Sequence, residues 1–173
     1  MRFVATALPG VTLIEPETIG DDRGHFARLY CPDEFARAGI KFVPTQTSLS
    51  FNRALHTLRG VHYCLEPEAK LVRCSRGRIF DVAVDIRRDS ATFGRWFGVE
   101  LDPERAHGLY IPAGVAHGFL TLEPDCDVLY QIDRRYRPGF DAGVRWNDPQ
   151  FAIEWPAAPA VIAARDRDFP DFA

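Results

Sequence analysis

Two histidines in this chain lie among other polar groups in segments that otherwise have strand composition. The first, His62, belongs to Thr57-Leu58-Arg59-Gly60-Val61-His62-Tyr63 and is followed closely by Lys70-Leu71-Val72-Arg73. A histidine, an arginine and a lysine within a dozen residues of β structure make a poor apolar core. They make a good pocket for an anionic ligand or a developing oxyanion. An imidazole titrates at about 6.5, so it can take a proton at neutral pH. Strict strand alternation puts Arg59 and His62 on opposite faces, and a bulge at Gly60 would bring them to one face. The same residues equally fit rim charges on an edge strand.

The second, His117, follows a Pro-x-Gly-x-x-His turn, Pro112 to His117, that leads into a strand. Such turns are frequent in cupin barrels, where the histidine often binds a metal. That role needs partners, typically a His-x-His pair and a downstream glutamate. The residue two beyond His62 is Cys64, so the pair is missing and metal-dependent oxygenase chemistry is disfavoured. Tyr130 alternates with Val128 and Ile132, which points its hydroxyl toward a barrel interior, although a structural tyrosine is the commoner case. Asp166, in Arg165-Asp166-Arg167, reads by itself as a solvated charge run. His25, His56 and His107 fall near turns or in a polar loop and read as surface residues.

The elements that must position these groups are short strands. Turn signals recur at Pro9-Gly10, Gly20-Asp21-Asp22, Gly77, Gly94, Asp102-Pro103, Pro138-Gly139 and Asn147-Asp148-Pro149. The clearest strand is 79–86, where a period of two puts Phe80, Val82, Val84 and Ile86 on one face and Asp81 and Asp85 on the other. Further strands are expected at 11–15, 26–30, 42–51, 57–63, 70–75, 95–101, 108–111, 116–122 and 127–133. One helix is expected at 32–38, opened by Pro32 and stopped by Gly39. The pattern predicts an all-β sandwich or jelly roll, and the lack of GxGxxG or alternating helices disfavours a Rossmann fold.

The 173 residues are expected to form one domain, 1–173. A net charge of −3 and basic clusters at 76–78 and 134–137 that are interleaved with acids argue against nucleic-acid binding. No run approaches the roughly 18 uncharged apolar residues that cross a bilayer, and the first residues lack a signal-peptide h-region. Cys31, Cys64, Cys74 and Cys126 lack CxxC spacing, so free thiols in the cytoplasm are expected.

Taken together, the segments resemble the dTDP-4-dehydrorhamnose 3,5-epimerase family. The match runs through Leu8-Pro9-Gly10-Val11, Asp22-Arg23-Gly24-His25-Phe26, Leu58 to Tyr63, Lys70 to Arg73 and Asp81 to Arg87. It continues in Gly98 to Leu101, Ile111 to Phe119, Leu129-Tyr130, Arg145 to Pro149 and Ile153 to Pro156. The resemblance implies a cupin-type double-stranded β-helix, or jelly roll, with very few short helices. It implies a homodimer that uses no metal or organic cofactor. It makes His62 the catalytic base, Asp166 its carboxylate partner, Tyr130 the acid on the opposite face and Lys70 the cation beside the enolate oxygen. Arg23, Phe26, Gln46, Ser48, Arg59, His117, Tyr136 and Arg165 fall at substrate-binding positions. The loop Tyr63–Ala69 is shorter than is usual in the family. Ser48 replaces an asparagine, Arg28 a glutamate, Arg165 a lysine, and His56 a glycine. The catalytic set is kept while the nucleotide-facing set is altered.

The expected reaction is inversion of C3, C5 or both in a nucleotide-diphospho-4-keto-6-deoxyhexose, with dTDP the favoured carrier. Rival readings are a single-centre epimerase on another keto sugar, a cupin 3,4-ketoisomerase and a nucleotide-sugar-binding module without catalysis.

Overall fold

The period-two patterning resolves, in a computed structural model that describes residues 1–172, into fourteen strands and two short helices. In chain order these are β1 (Arg2–Ala5), β2 (Thr12–Glu15), β3 (Thr18–Asp21), β4 (Gly24–Ala27), α1 (Pro32–Arg37), β5 (Gln46–Asn52), β6 (Thr57–Cys64) and β7 (Lys70–Arg76). There follow β8 (Ile79–Asp85), β9 (Trp96–Leu101), β10 (Gly108–Ile111), β11 (Val115–Thr121), β12 (Cys126–Ile132), β13 (Asp141–Gly143), β14 (Val161–Ile162) and α2 (Ala164–Arg167). One sheet has the order β1-β2-β10-β7-β12-β5 and faces a second with the order β13-β6-β11-β8-β9, to which β14 adds in parallel beside β6. The two sheets make the expected jelly roll. Strands β3 and β4 form a separate hairpin. Among the described residues no helix is long and apolar enough to cross a membrane.

Alternation sorts side chains into three layers. Between the sheets lie Val72, Cys74, Ile79, Ala83, Leu109, Phe119 and Val128. Outside the first sheet, α1 lays Phe35 against Phe3, Tyr30 and Phe42. Outside the second, Val61, Val82, Val84 and Ala116 are covered by Val144, Phe151 and Trp155 from the C-terminal segment. Each buried side chain of this size contributes roughly 1.5–3 kcal/mol.

Three expected elements shift. The strand expected at 26–30 is β4 and ends at Ala27, because Tyr30 turns away to pack on Phe35 of α1. That expected at 42–51 begins at Gln46, since Phe42 leaves the sheet to join the aromatic cluster around Phe35. The helix stops at Arg37. Strands β1, β3, β13 and β14 and helix α2 were not anticipated; all are four residues or fewer, too short to show a period.

Two details of the second sheet matter for the site. The carboxylate face of β8 points inward, and both Asp81 and Asp85 are fully buried. Burial opposes ionisation of Asp85, but hydrogen bonds from Arg87, Ser90 and Thr92 hold its carboxyl well below the ordinary range. Strand β6 carries one extra residue against β11: His62 pairs with His117 and Arg59 with Phe119. At this bulge Gly60 has φ +134°, and a Cβ there would stand 2.5 Å from the Gly118 Cα.

Gly60→Ala should therefore cost about 2–4 kcal/mol, from left-handed backbone and overpacking together, read as a lower denaturation midpoint. Asp85 contributes stability in full above the ordinary carboxyl value of 3.8 and loses it as pH falls through its lower folded value. The stability gap between the native protein and Asp85→Asn should thus be constant near neutrality and close in stronger acid, measured by urea melts across pH.

Candidate active site

The space between the sheets changes character along its length. At one end it is closed by the apolar layer; at the other it opens into a cavity of about 420 Å³. Its polar lining comes from alternate residues that continue the inward faces of the strands. Gln46 and Ser50 come from β5, Arg59 and His62 from β6, Lys70 from β7, His117 from β11 and Tyr130 from β12. The bulge at Gly60 is what lets Arg59 and His62 share this cavity.

His62 Nε2 lies 2.8 Å from Asp166 Oδ1, and the Gly60 amide donates to Asp166 Oδ2 at 3.1 Å. Asp166 is 5% exposed, so the charge run around it is solvated only at Arg165 and Arg167; the aspartate turns inward. Burial disfavours its charge, yet the His62 hydrogen bond and charge, the Gly60 amide and Arg165 together hold its carboxyl below the ordinary range. It is brought there by α2, after β14 has laid the chain beside Thr57 and Leu58 of β6.

Tyr130 stands on the facing sheet. Its ring lies edge-on to His117 with centroids 5.8 Å apart. Burial pushes the Tyr130 phenol well above its ordinary range, the Asp81 carboxylate adding to the shift and Arg59 opposing it. It therefore stays protonated at neutral pH. His117 Nε2 is 2.7 Å from Asp81 Oδ1, both side chains being almost wholly buried, and Asp81 Oδ2 has no hydrogen-bond partner among the described residues. Two His–carboxylate pairs thus sit on neighbouring strands, with His62 and His117 directly opposite in register.

Lys70 Nζ is 3.0 Å from Glu68 Oε1, both lining the cavity. Arg59 Nε donates to Asn52 Oδ1 at 2.7 Å, and Gln46 Nε2 to the Arg134 carbonyl at 2.8 Å. At the mouth, Glu66 on the short loop pairs with Arg134 and Arg137, which brackets the exposed Tyr136 beside Arg165. Ser48 shares the inward face of β5 with Gln46 and Ser50 and pairs with Tyr130 in register.

Of the twelve residues singled out from the sequence, the cavity itself gathers nine: His62, Lys70, Tyr130, Gln46, Arg59, His117, Tyr136 and Arg165 line it, and Asp166 backs His62. Arg23 and Phe26 do not join them within one chain; they lie on the β3–β4 hairpin, where Arg23 pairs with Asp21 and Phe26 is 68% exposed. Sequence reasoning missed Glu68, Ser50, Asp81 and Asp141. Only Asp81 left a signal, the period-two pattern of β8. Among the described residues no group of three or more His, Cys, Asp or Glu side chains is arranged to hold a metal ion.

The jelly roll is shared with proteins of known structure. The sequence profile of the dTDP-4-dehydrorhamnose 3,5-epimerase family matches residues 5–173. The dTDP-4-dehydrorhamnose 3,5-epimerase of Methanothermobacter thermautotrophicus is 41% identical, over 97% of this chain and 92% of its own. The crystal structure of the Bacillus anthracis 3,5-epimerase with TDP and pyrophosphate bound superposes with a TM-score of 0.95 at 36% identity, covering 99% of both chains. The Legionella pneumophila epimerase in complex with dTDP-4-keto-L-rhamnose gives 0.93 at 35% identity, covering 98% of this chain and 92% of that one. With agreement along nearly its whole length in both sequence and fold, the chain belongs to the dTDP-4-dehydrorhamnose 3,5-epimerase family.

Proposed function

We propose that this chain epimerises a nucleotide-diphospho-4-keto-6-deoxyhexose at C3, C5 or both, with dTDP-4-dehydro-6-deoxyglucose as the favoured substrate and dTDP-4-dehydrorhamnose as the product. The observation that carries this reading is the facing pair: a carboxylate-backed imidazole on one sheet and a protonated phenol on the other, across one cavity. The ligands bound in the Legionella and Bacillus structures support the same substrate class.

The ketone at C4 makes the hydrogens on C3 and C5 removable, because the electrons left behind delocalise onto the oxygen. With Nε2–H of His62 donating to Asp166, the ring's lone pair is on Nδ1, which takes the proton. Asp166 stays ionised and stabilises the imidazolium as it forms. Lys70 and Arg59 supply positive charge for the enolate oxygen and the diphosphate. Tyr130 then delivers a proton from the opposite face and the centre inverts. One proton is taken and one returned, so the reaction is an isomerisation and the two groups reset through solvent. Each acid–base group is worth about 10²–10⁴-fold in rate.

Arg23 and Phe26 act on substrate in this reading only if they reach another copy's cavity. Support comes from the hairpin, which exposes Ile19 and Phe26, and from the outer face of β5, which exposes Leu49 and Phe51. A homodimer that exchanges hairpins would cover these surfaces and bring a cation to each diphosphate. The four unpaired thiols fit work in the cytoplasm.

Four outcomes test the reading. In deuterated water the native enzyme should introduce label at C3 or C5 of dTDP-4-keto-6-deoxyglucose while the ketone stays at C4, followed by NMR; a ketone that moves to C3 would mean a ketoisomerase instead. His62→Asn should abolish exchange, with turnover down about 10²–10⁴-fold. Tyr130→Phe should keep label uptake, since the base still enolises, but lose inverted product. Finally, mixing inactive Arg23→Ala and His62→Asn proteins should restore activity through hybrid dimers carrying one intact site; continued inactivity of mixtures shown to exchange subunits would refute hairpin exchange.

A further inference from the structure

We propose that Phe169, seated in a slot left by Gly143, is a positioning residue that fixes the ring plane of His62 and the direction of Arg165. The proposal rests on the reading of His62 as the base.

Gly143 ends β13 and pairs in register with His62. Its backbone is not in the left-handed region, so local conformation does not demand a glycine there. What demands it is Phe169: a Cβ on residue 143 would stand 2.4 Å from Phe169 Cε2 and 2.5 Å from Cζ. The Phe169 ring in turn meets the His62 ring at 75°, with centroids 5.9 Å apart. The Arg165 guanidinium also lies over this ring, 5.5 Å from its centroid. One side chain therefore touches both the base and a cation of the cavity.

The phenylalanine is itself held from both directions. Upstream, Asp166 is locked to His62 and Gly60. Downstream, the Arg145 amide donates to the Pro170 carbonyl at 3.2 Å, and the Phe172 amide to the buried Asp148 carboxylate at 2.6 Å. Such anchoring exceeds what is needed to deliver Asp166 alone. A hydrogen bond at one ring nitrogen sets where that nitrogen lies, but the imidazole can still swing about it, and the side chain is 36% exposed. An edge-to-face neighbour removes that freedom. The flat backbone of a glycine is what lets the neighbour come close enough.

The test uses the full-length protein and four variants: Phe169→Ala, Phe169→Leu, Gly143→Ala and the double variant Gly143→Ala/Phe169→Leu. Misplacement of a reacting group by an ångström costs about 10²-fold, so Phe169→Ala should lower kcat by about 10- to 100-fold and raise KM as Arg165 loosens. Imidazole resonances of His62, titrated by NMR without substrate, should shift or broaden and change midpoint. Gly143→Ala should reproduce this by displacing the ring, and the double variant should recover part of the loss because leucine is smaller. Phe169→Leu, which keeps apolar bulk, should fall between native and alanine. The proposal is overturned if Phe169→Ala lowers only the melting temperature while kcat, its pH profile and the His62 resonances stay native, or if the double variant is no better than Gly143→Ala. Failure of the base reading is a separate result: His62→Asn would then still turn over, whatever Phe169 does to the imidazole signals.

Discussion

Asp166 accepts two hydrogen bonds at once, from the His62 ring and from the Gly60 amide, and both exist because β6 carries an extra residue at Gly60. Without that residue Arg59 and His62 would project from opposite faces of the sheet. With it, the backbone of β6 comes so near β11 that neither Gly60 nor Gly118 has room for a Cβ: one at 118 would stand 3.0 Å from the Arg59 carbonyl oxygen. Two glycines facing each other thus set the position of the His62 imidazole, and the irregular backbone turns one amide out of the ladder toward the carboxylate. The bulge is where the regularity of the sheet is given up for chemistry.

The sandwich around it separates two environments along a single interior. Toward the closed end, methyl and aromatic groups fill the space; toward the mouth, the same inward register carries His62, Lys70, His117 and Tyr130. The boundary is where charge is most expensive to bury, and three ionisable groups there have carboxylate partners: His62 with Asp166, His117 with Asp81, Lys70 with Glu68. This pairing keeps the cavity near charge balance before a dianionic substrate arrives. The Tyr130 phenol stays neutral for a different reason, its own burial, to which the nearby Asp81 carboxylate adds.

Much of this was legible in the residues. A period of two separated the carboxylates of β8 from its apolar residues without saying which face turns inward, and the bulge followed from the need to reconcile Arg59 with His62 across a glycine. Tyr130 was placed on an interior face by Val128 and Ile132. Asp166 was not readable locally, because flanking arginines make a solvated run and an inward turn unremarkable in the same measure; only family resemblance distinguished it. Glu68 was hidden because a loop carries no periodicity, and Asp141 because the three-residue β13 is too short to show one. The short strands β13 and β14 are held by pairing to β6 rather than by their own composition. Arg23 and Phe26 were singled out by the family resemblance alone, and the β3–β4 hairpin holds them apart from this chain's cavity.

The carboxylate that backs His62 lies 104 positions along the chain from it, on a four-residue helix with no core of its own. Opening this short segment breaks far fewer contacts than separating the two sheets, so it belongs to a weaker cooperative unit than the barrel. Warming or mild denaturant should silence the catalyst while spectroscopic signals of the β structure persist. Activity and melting then report on different parts of one molecule, and an inactive preparation can be fully folded by every bulk measure.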